Sequence, residues 1–412
     1  MKKRRIAILG AGPVGLEAAL AASEAGLPFK VYEVSGAVAD NVRSWGHVQL
    51  FTPWSMNVSS RARRALSAVN AGPPANEGRP TGEELVELLL EPIGSLPAIK
   101  PYIEFHTRVI EVGRDGLLKS DEIGTPARAD SPFRLLLRGE GGKERVEYAE
   151  VVLDCTGSYD HPNALGVGGV AAPGEHGVAE YIIRRIPDVE APLFTGDGVG
   201  WAGQRILLVG AGHSAQTTAK DLAALVERVP DTSVVWAIRG AAPTFGAVAD
   251  DTLPARDALV QQARHLALEA DSPFDVRLGR SVDALEASGD GIVVTLRQEN
   301  GESEEVVVDR IISLTGSVGD ARMYRQLQVH ECWATSGPMR LAAVLLASTS
   351  ADCLTGEGHG IDSLKSPEPD FFILGSKSYG RNATFLMRVG WEQINEVFSL
   401  LGAVPVAAED SP

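Results

Sequence analysis

Twice along the chain a short apolar run stops at a glycine-rich turn and continues into an alanine-rich segment with helical spacing. The runs are residues 6–9 and 206–209, and the turns read Gly10-Ala11-Gly12-Pro13-Val14-Gly15 and Gly210-Ala211-Gly212-His213-Ser214-Ala215. A second apolar run follows each helical segment, at 29–34 and 233–238, so that each completes a βαβ unit. Strands joined through a helix run parallel, and a parallel sheet needs both faces covered. The duplication extends further. Alternating segments with tight turns, 133–138 in one half and 291–297 with 304–308 around Asn300-Gly301 in the other, read as hairpins. Each half closes on an apolar strand, 151–153 or 311–314, that runs into Thr156-Gly157 or Thr315-Gly316.

The pattern predicts an α/β chain with two Rossmann-like dinucleotide-binding domains, the second inserted into the first. The first domain takes residues 1–163 and 320–402, the second takes 164–319, and 403–412 form a loose tail. Pro/Gly-rich stretches at 171–174 and 192–203 mark the entry to the insert. A strand at 371–374, a turn at 375–381 and an amphipathic run to Leu401 return the chain to the first domain.

Each glycine of the first turn has its own steric task. Gly10 permits the tight turn, Gly12 leaves room for a pyrophosphate against the backbone, and Gly15 lets the helix lie close to the sheet. Pro13 and Val14 open the helix, whose free N–H groups face the anion. Glu33, at the end of the second strand, can accept the hydroxyls of an adenosine ribose and would repel a 2′-phosphate. The first site therefore suits FAD or NAD better than NADP. The second turn has Gly210, Gly212 and Ala215, with His213 and Ser214 placed for phosphate contact. Its second strand ends in Arg239, either a solvated strand-end charge or a guanidinium that pairs with a 2′-phosphate and favours NADPH over NADH.

Other function classes are excluded by charge and composition. With 38 Lys and Arg against 54 Asp and Glu, a net charge of −16 opposes binding to nucleic acid. The three cysteines, Cys155, Cys332 and Cys353, form no Cys-x-x-Cys pair, which argues for a reducing, cytoplasmic setting and against dithiol chemistry. The histidines show no metal-ligand spacing, so no metal is expected. The basic start at Met1–Arg5 precedes a run broken by glycine and proline, so neither a leader nor a membrane span is expected.

Two glycine turns about 200 positions apart, each half closing on Thr-Gly, resemble the flavoprotein superfamily of flavin-containing monooxygenases and thioredoxin-reductase-like enzymes. The resemblance covers nearly the whole chain. It implies FAD in the first domain and NADPH in the inserted one. It places Asn41-Val42-Arg43-Ser44-Trp45 beside the flavin, Val109 against the adenine, and Gly375-Ser376 where the superfamily has a Gly-Asp pair contacting flavin phosphate. It also puts residues 47–57 and 378–381 near the isoalloxazine ring, which makes Tyr379 and Arg381 the flavin-proximal catalytic candidates. For Trp45, Trp54 and Tyr379, core packing and a cofactor role both stand. The activity implied is NADPH oxidation, with the reduced flavin activating O₂ as a peroxyflavin that oxygenates a small molecule. One alternative is an NAD(P)H-dependent flavin reductase serving a quinone or protein acceptor, and another is a non-catalytic dinucleotide sensor. Substrate and oligomeric state have no signature in the sequence.

Overall fold

The computed structural model describes residues 4–73, 76–189, 200–347 and 359–403. The chain divides into two compact units, Met1–His161 with Val318–Pro412, and Pro162–Ser317. Cys353, residues 192–199 of the expected crossover and the tail from 404 lie outside the described residues.

The first unit is built on a five-stranded parallel sheet. Its order is Phe371–Ile373, Val151–Asp154, Ile6–Leu9, Phe29–Tyr32, Ile103–Glu104. Every residue of Ile6–Leu9 and Val151–Asp154 is buried, as both faces of a central parallel strand require. The helix Pro13–Glu24 fills the first crossover and buries Leu16, Ala18, Ala19 and Leu20. Glu17 is buried on the same helix, held by the Ser59 hydroxyl at 2.7 Å and by Arg61. The helix Met387–Leu400 buries Val389, Ile394 and Val397 in the same core.

A three-stranded antiparallel sheet, Arg108–Arg114, Phe133–Arg138 and Glu144–Ala149, completes this unit. It adds a third strand to the expected hairpin. Glu368 anchors it: Arg114 Nε donates to one carboxylate oxygen at 2.7 Å, while Arg128 Nε, at 2.9 Å, and the Gln328 amide, at 2.8 Å, donate to the other. All three charged side chains are buried. Arg114 also lies 3.7 Å from the centre of the Phe133 ring.

The second unit repeats the plan. Its parallel sheet runs Asp275–Leu278, Ser233–Ile238, Arg205–Val209, Arg310–Ser313, Ile182–Ile183. The antiparallel sheet Ser281–Ser288, Gly291–Arg297, Ser303–Val308 takes the matching place in the chain. Aligned on the two glycine turns, the sheets differ in the source of one edge strand. The first unit draws it from the chain after the insert, the second from the residues before its own glycine turn. Trp236, fully buried, packs on Phe245 and Phe274 and donates its indole N–H to Gly210 O at 2.8 Å, bracing the turn from below.

Candidate functional site

In the first unit the chemistry gathers at the carboxyl ends of the parallel strands, where an open α/β sheet presents its helix N-termini. Gly10 takes φ +95°, and a Cβ there would stand 2.9 Å from Cys155 O. A Cβ on Gly15 would stand 2.0 Å from Gly10 O, so helix and turn pack too closely for any side chain. Gly12 differs, because a Cβ there would meet no atom within 4 Å. The helix starting at Pro13 has no side-chain cap, and its first bond runs from Leu16 N to Gly12 O. The N–H groups of Val14 and Gly15 precede that bond and face the space over Gly12. A cradle of this kind, donor-rich and free of side chains, fits a pyrophosphate.

Glu33 stands one residue past the strand Phe29–Tyr32 and is buried. Ala11 N donates to its Oε2 at 2.7 Å, and the Ser35 amide and hydroxyl donate to Oε1 at 2.9 Å each. An ionised carboxylate has about four acceptor sites, so these bonds fix Glu33 and leave capacity for a ribose hydroxyl. Val109 is half-buried in the strand Arg108–Arg114.

The Thr-Gly and Gly-Ser segments meet beside this turn. A Cβ on Gly157 would lie 3.7 Å from Ser376 Oγ, and one on Gly375 would lie 3.2 Å from Val14 Cγ2. Gln393 holds the second segment by accepting from Gly375 N at 2.8 Å. The segment after the second strand also arrives here, since Ala39 N donates to Ala11 O at 3.1 Å. Within it Arg43 pairs with Glu91, and Trp45 stacks on Tyr159 with ring centres 6.5 Å apart. Arg43 Nε and the Trp45 indole N–H are buried without an acceptor among the described residues. Two orphaned donors beside an open cradle fit a ligand rich in acceptors.

The two catalytic candidates fare differently. Tyr379 is a core residue: its ring packs edge-on against Phe385 at 5.4 Å, its hydroxyl lies 3.5 Å from His359 Nε2, and burial pushes the phenol up to about 12. Arg381 is exposed, and its side chain has no hydrogen bond or ion pair to a described residue. Sequence reasoning missed Lys377 and Asp154, a buried pair at 2.6 Å from elements 223 residues apart. Their local signs were an aspartate closing an apolar strand and a lysine in the turn that follows the last strand.

The second unit presents a similar cradle. Gly210 takes φ +129°, and a Cβ there would approach Leu314 O to 2.4 Å. The space at Gly212 is open, and Ala215 is fully buried against the turn. The helix His213–Arg228 has no side-chain cap. Gln216, fully buried, ties its start to the following loop by donating to Ala211 O at 2.9 Å and Phe245 O at 2.8 Å. His213 lies beside that loop, and burial with the nearby Arg256 charge lowers its pKa. Ser214 is exposed at the helix mouth. Arg239 is exposed at the end of the strand Ser233–Ile238 with no hydrogen bond or ion pair to a described residue. Thr315 is engaged with Asn163, donating to its backbone O at 3.1 Å and accepting from its amide at 3.0 Å, and Gly316 follows at φ +83°.

No group of three or more His, Cys, Asp or Glu among the described residues could hold a metal, and no described helix is long and apolar enough to cross a membrane.

Comparison with known proteins agrees with this architecture. No curated protein matches the chain significantly. Among solved structures, a bacillithiol disulfide reductase from Bacillus cereus is similar at TM-score 0.67 and 17% identity, covering 97% of this chain and 99% of that one. A Kutzneria sp. 744 ornithine N-hydroxylase, with reduced FAD, NADP⁺ and L-ornithine, is similar at TM-score 0.61 and 14% identity, with 97% and 99% covered. The thioredoxin reductase of Lactococcus lactis is similar at TM-score 0.58 and 16% identity, with the same coverage. Residues 4–333 match the model of the pyridine nucleotide-disulphide oxidoreductases, and the chain, with its two Rossmann-like units, belongs to that family.

Proposed function

We propose that the chain is an FAD-dependent, NADPH-oxidising monooxygenase acting on a small molecule, with FAD in the first unit and NADPH in the second. The observation that carries the cofactor assignment is the pair of open, uncapped glycine cradles with opposite charges at the ends of equivalent strands, Glu33 in one and Arg239 in the other. Val14 and Gly15 N–H would hold the FAD pyrophosphate and Glu33 its ribose. Arg43, Trp45, Thr156-Gly157 and Gly375-Ser376 would bound the flavin. When bound, FAD supplies hydride acceptance and electron delivery to oxygen, and the chain supplies placement and exclusion of water. His213, Ser214 and the helix N-terminus behind them would take the NADPH pyrophosphate, leaving Arg239 for the 2′-phosphate.

Oxygenation is preferred to disulfide reduction because of the cysteines. Cys155 is buried behind Gly10, where burial and the adjacent Asp154 charge raise its pKa. Cys332, half-buried with its thiol pKa lowered by hydrogen bonds to Thr335 and the Ala334 backbone, is 177 residues away in the chain, so the two form no Cys-x-x-Cys dithiol. A second reading is electron transfer to a quinone or protein acceptor, and the likeness to reductases of the same fold supports it. The two separate in air. Oxygenation predicts a stable oxygenated product matching NADPH consumed for some small amine, thiol or sulfide. Hydrogen peroxide alone with every such compound, alongside rapid reduction of an artificial acceptor, would sink the monooxygenase reading.

The coenzyme preference has its own test. Arg239→Ala is expected to weaken NADPH by about 1.5–3 kcal/mol, the range for a hydrogen bond to a charged group, or roughly ten- to hundredfold. NADH affinity and FAD content should hardly change. Equal losses for both coenzymes, measured at one ionic strength, would remove Arg239 from the phosphate site.

A further inference from the structure

Lys377 and Asp154 are 3% and 0% exposed. Burying an ammonium and a carboxylate is costly, and an apolar pair of similar size often serves a fold as well or better. The pair sits at the carboxyl end of the first unit's sheet.

All three donors of the ammonium are engaged. Lys377 Nζ donates to Asp154 Oδ2 at 2.6 Å, to Asp320 O at 2.7 Å and to Thr156 Oγ1 at 3.3 Å, and it lies 4.9 Å from the centre of the Tyr324 ring. Asp154 Oδ1 accepts from Thr156 Oγ1 at 2.7 Å and from Thr156 N at 3.2 Å. The lysine stem passes over Gly319, where a Cβ would stand 2.4 Å from Lys377 Cγ. One ion pair thus sets three segments: Thr156-Gly157, Gly375–Tyr379 and the chain around Asp320. The first two are those that border the glycine cradle.

We propose that Lys377 and Asp154 form a positioning pair for the flavin, holding these segments in place and keeping their two charges mutually cancelled at the cofactor's edge. This rests on the assignment of FAD to the first unit. Lys377→Met removes a positive charge from this edge and Asp154→Asn a negative one, and reduction makes the flavin more electron-rich.

The test is the flavin midpoint potential of the FAD-loaded protein, by equilibration with a reference dye. In Lys377→Met the ratio of affinities for reduced over oxidised flavin should fall at least about tenfold, which is about 30 mV for a two-electron couple. In Asp154→Asn it should rise by a similar factor, and in the double variant it should return close to wild type. A merely structural strut would lower FAD content without moving the potential in opposite directions. Singles that shift the same way, or not at all, overturn the proposal. Should Lys377→Met fail to fold, Lys377→Arg with an unchanged potential beside a raised one in Asp154→Asn supports it, and an unchanged Asp154→Asn overturns it. Wild-type protein that binds no FAD overturns the cofactor assignment and this proposal together, whereas flavin-loaded variants with an unmoved potential overturn this proposal alone.

Discussion

Gly12→Val is expected to give folded protein that purifies colourless. Gly12 lies at φ −78° with open space beyond it, so the apo chain accepts the side chain at a cost within about 1 kcal/mol, the scale of an altered helix cap. The cradle does not accept it. Overpacking a close contact costs about 1–3 kcal/mol, and each lost hydrogen bond to a charged phosphate adds about 1.5–3 kcal/mol. FAD affinity should fall by roughly a thousandfold. Thermal melting and FAD titration of the same preparation check both halves. Gly212→Val should do the reverse, retaining flavin and losing NADPH. Gly15→Val is a different experiment, because its Cβ would meet Gly10 O at 2.0 Å and distort the turn whether or not a ligand is present. Normal flavin in Gly12→Val would show that the first turn does not hold it.

Glu368→Gln is expected to cost the first unit about 3–5 kcal/mol, the scale for breaking a buried ion pair from one side. The substitution keeps the side chain's size and leaves Arg114 and Arg128, both buried, without their counter-charge. The urea midpoint should fall with little change in slope, since the surface exposed on unfolding is the same. A loss below about 1 kcal/mol would mean that water reaches the guanidinium groups and the triad is not a dry anchor.

The elements that could be read from sequence are those whose chemistry is local. The glycine turns declare themselves because Gly10, Gly12 and Gly15 do separate steric jobs within six positions, between a run with strand character and one with helix character. Glu33 and Arg239 follow from counting to the end of the next strand. The βαβ order, the paired hairpins and the two Thr-Gly closures repeat in both halves, and each copy supports the other. What could not be read depends on contacts across long separations. Lys377 reaches Asp154 across 223 residues, and Glu368 reaches Arg114 across 254. No periodicity marks such pairs. The edge strands Ile103–Glu104 and Ile182–Ile183, two residues each, are too short to carry a pattern. Tyr379 shows the limit of motif position: it falls in the expected segment, yet its ring turns into the core against Phe385 while Arg381 turns out. Position along the chain selects a loop, and packing decides which of its side chains face a ligand.

The reaction proposed for this chain starts with electron transfer from a nicotinamide coenzyme to FAD. Anaerobic titration of the purified, FAD-reconstituted protein with NADPH, followed by its visible spectrum, tests that most directly. The expected result is a yellow protein whose oxidised-flavin bands bleach at about one NADPH per flavin and return on admitting oxygen. A protein that binds no flavin, or bound flavin that neither NADPH nor NADH can bleach, would contradict it.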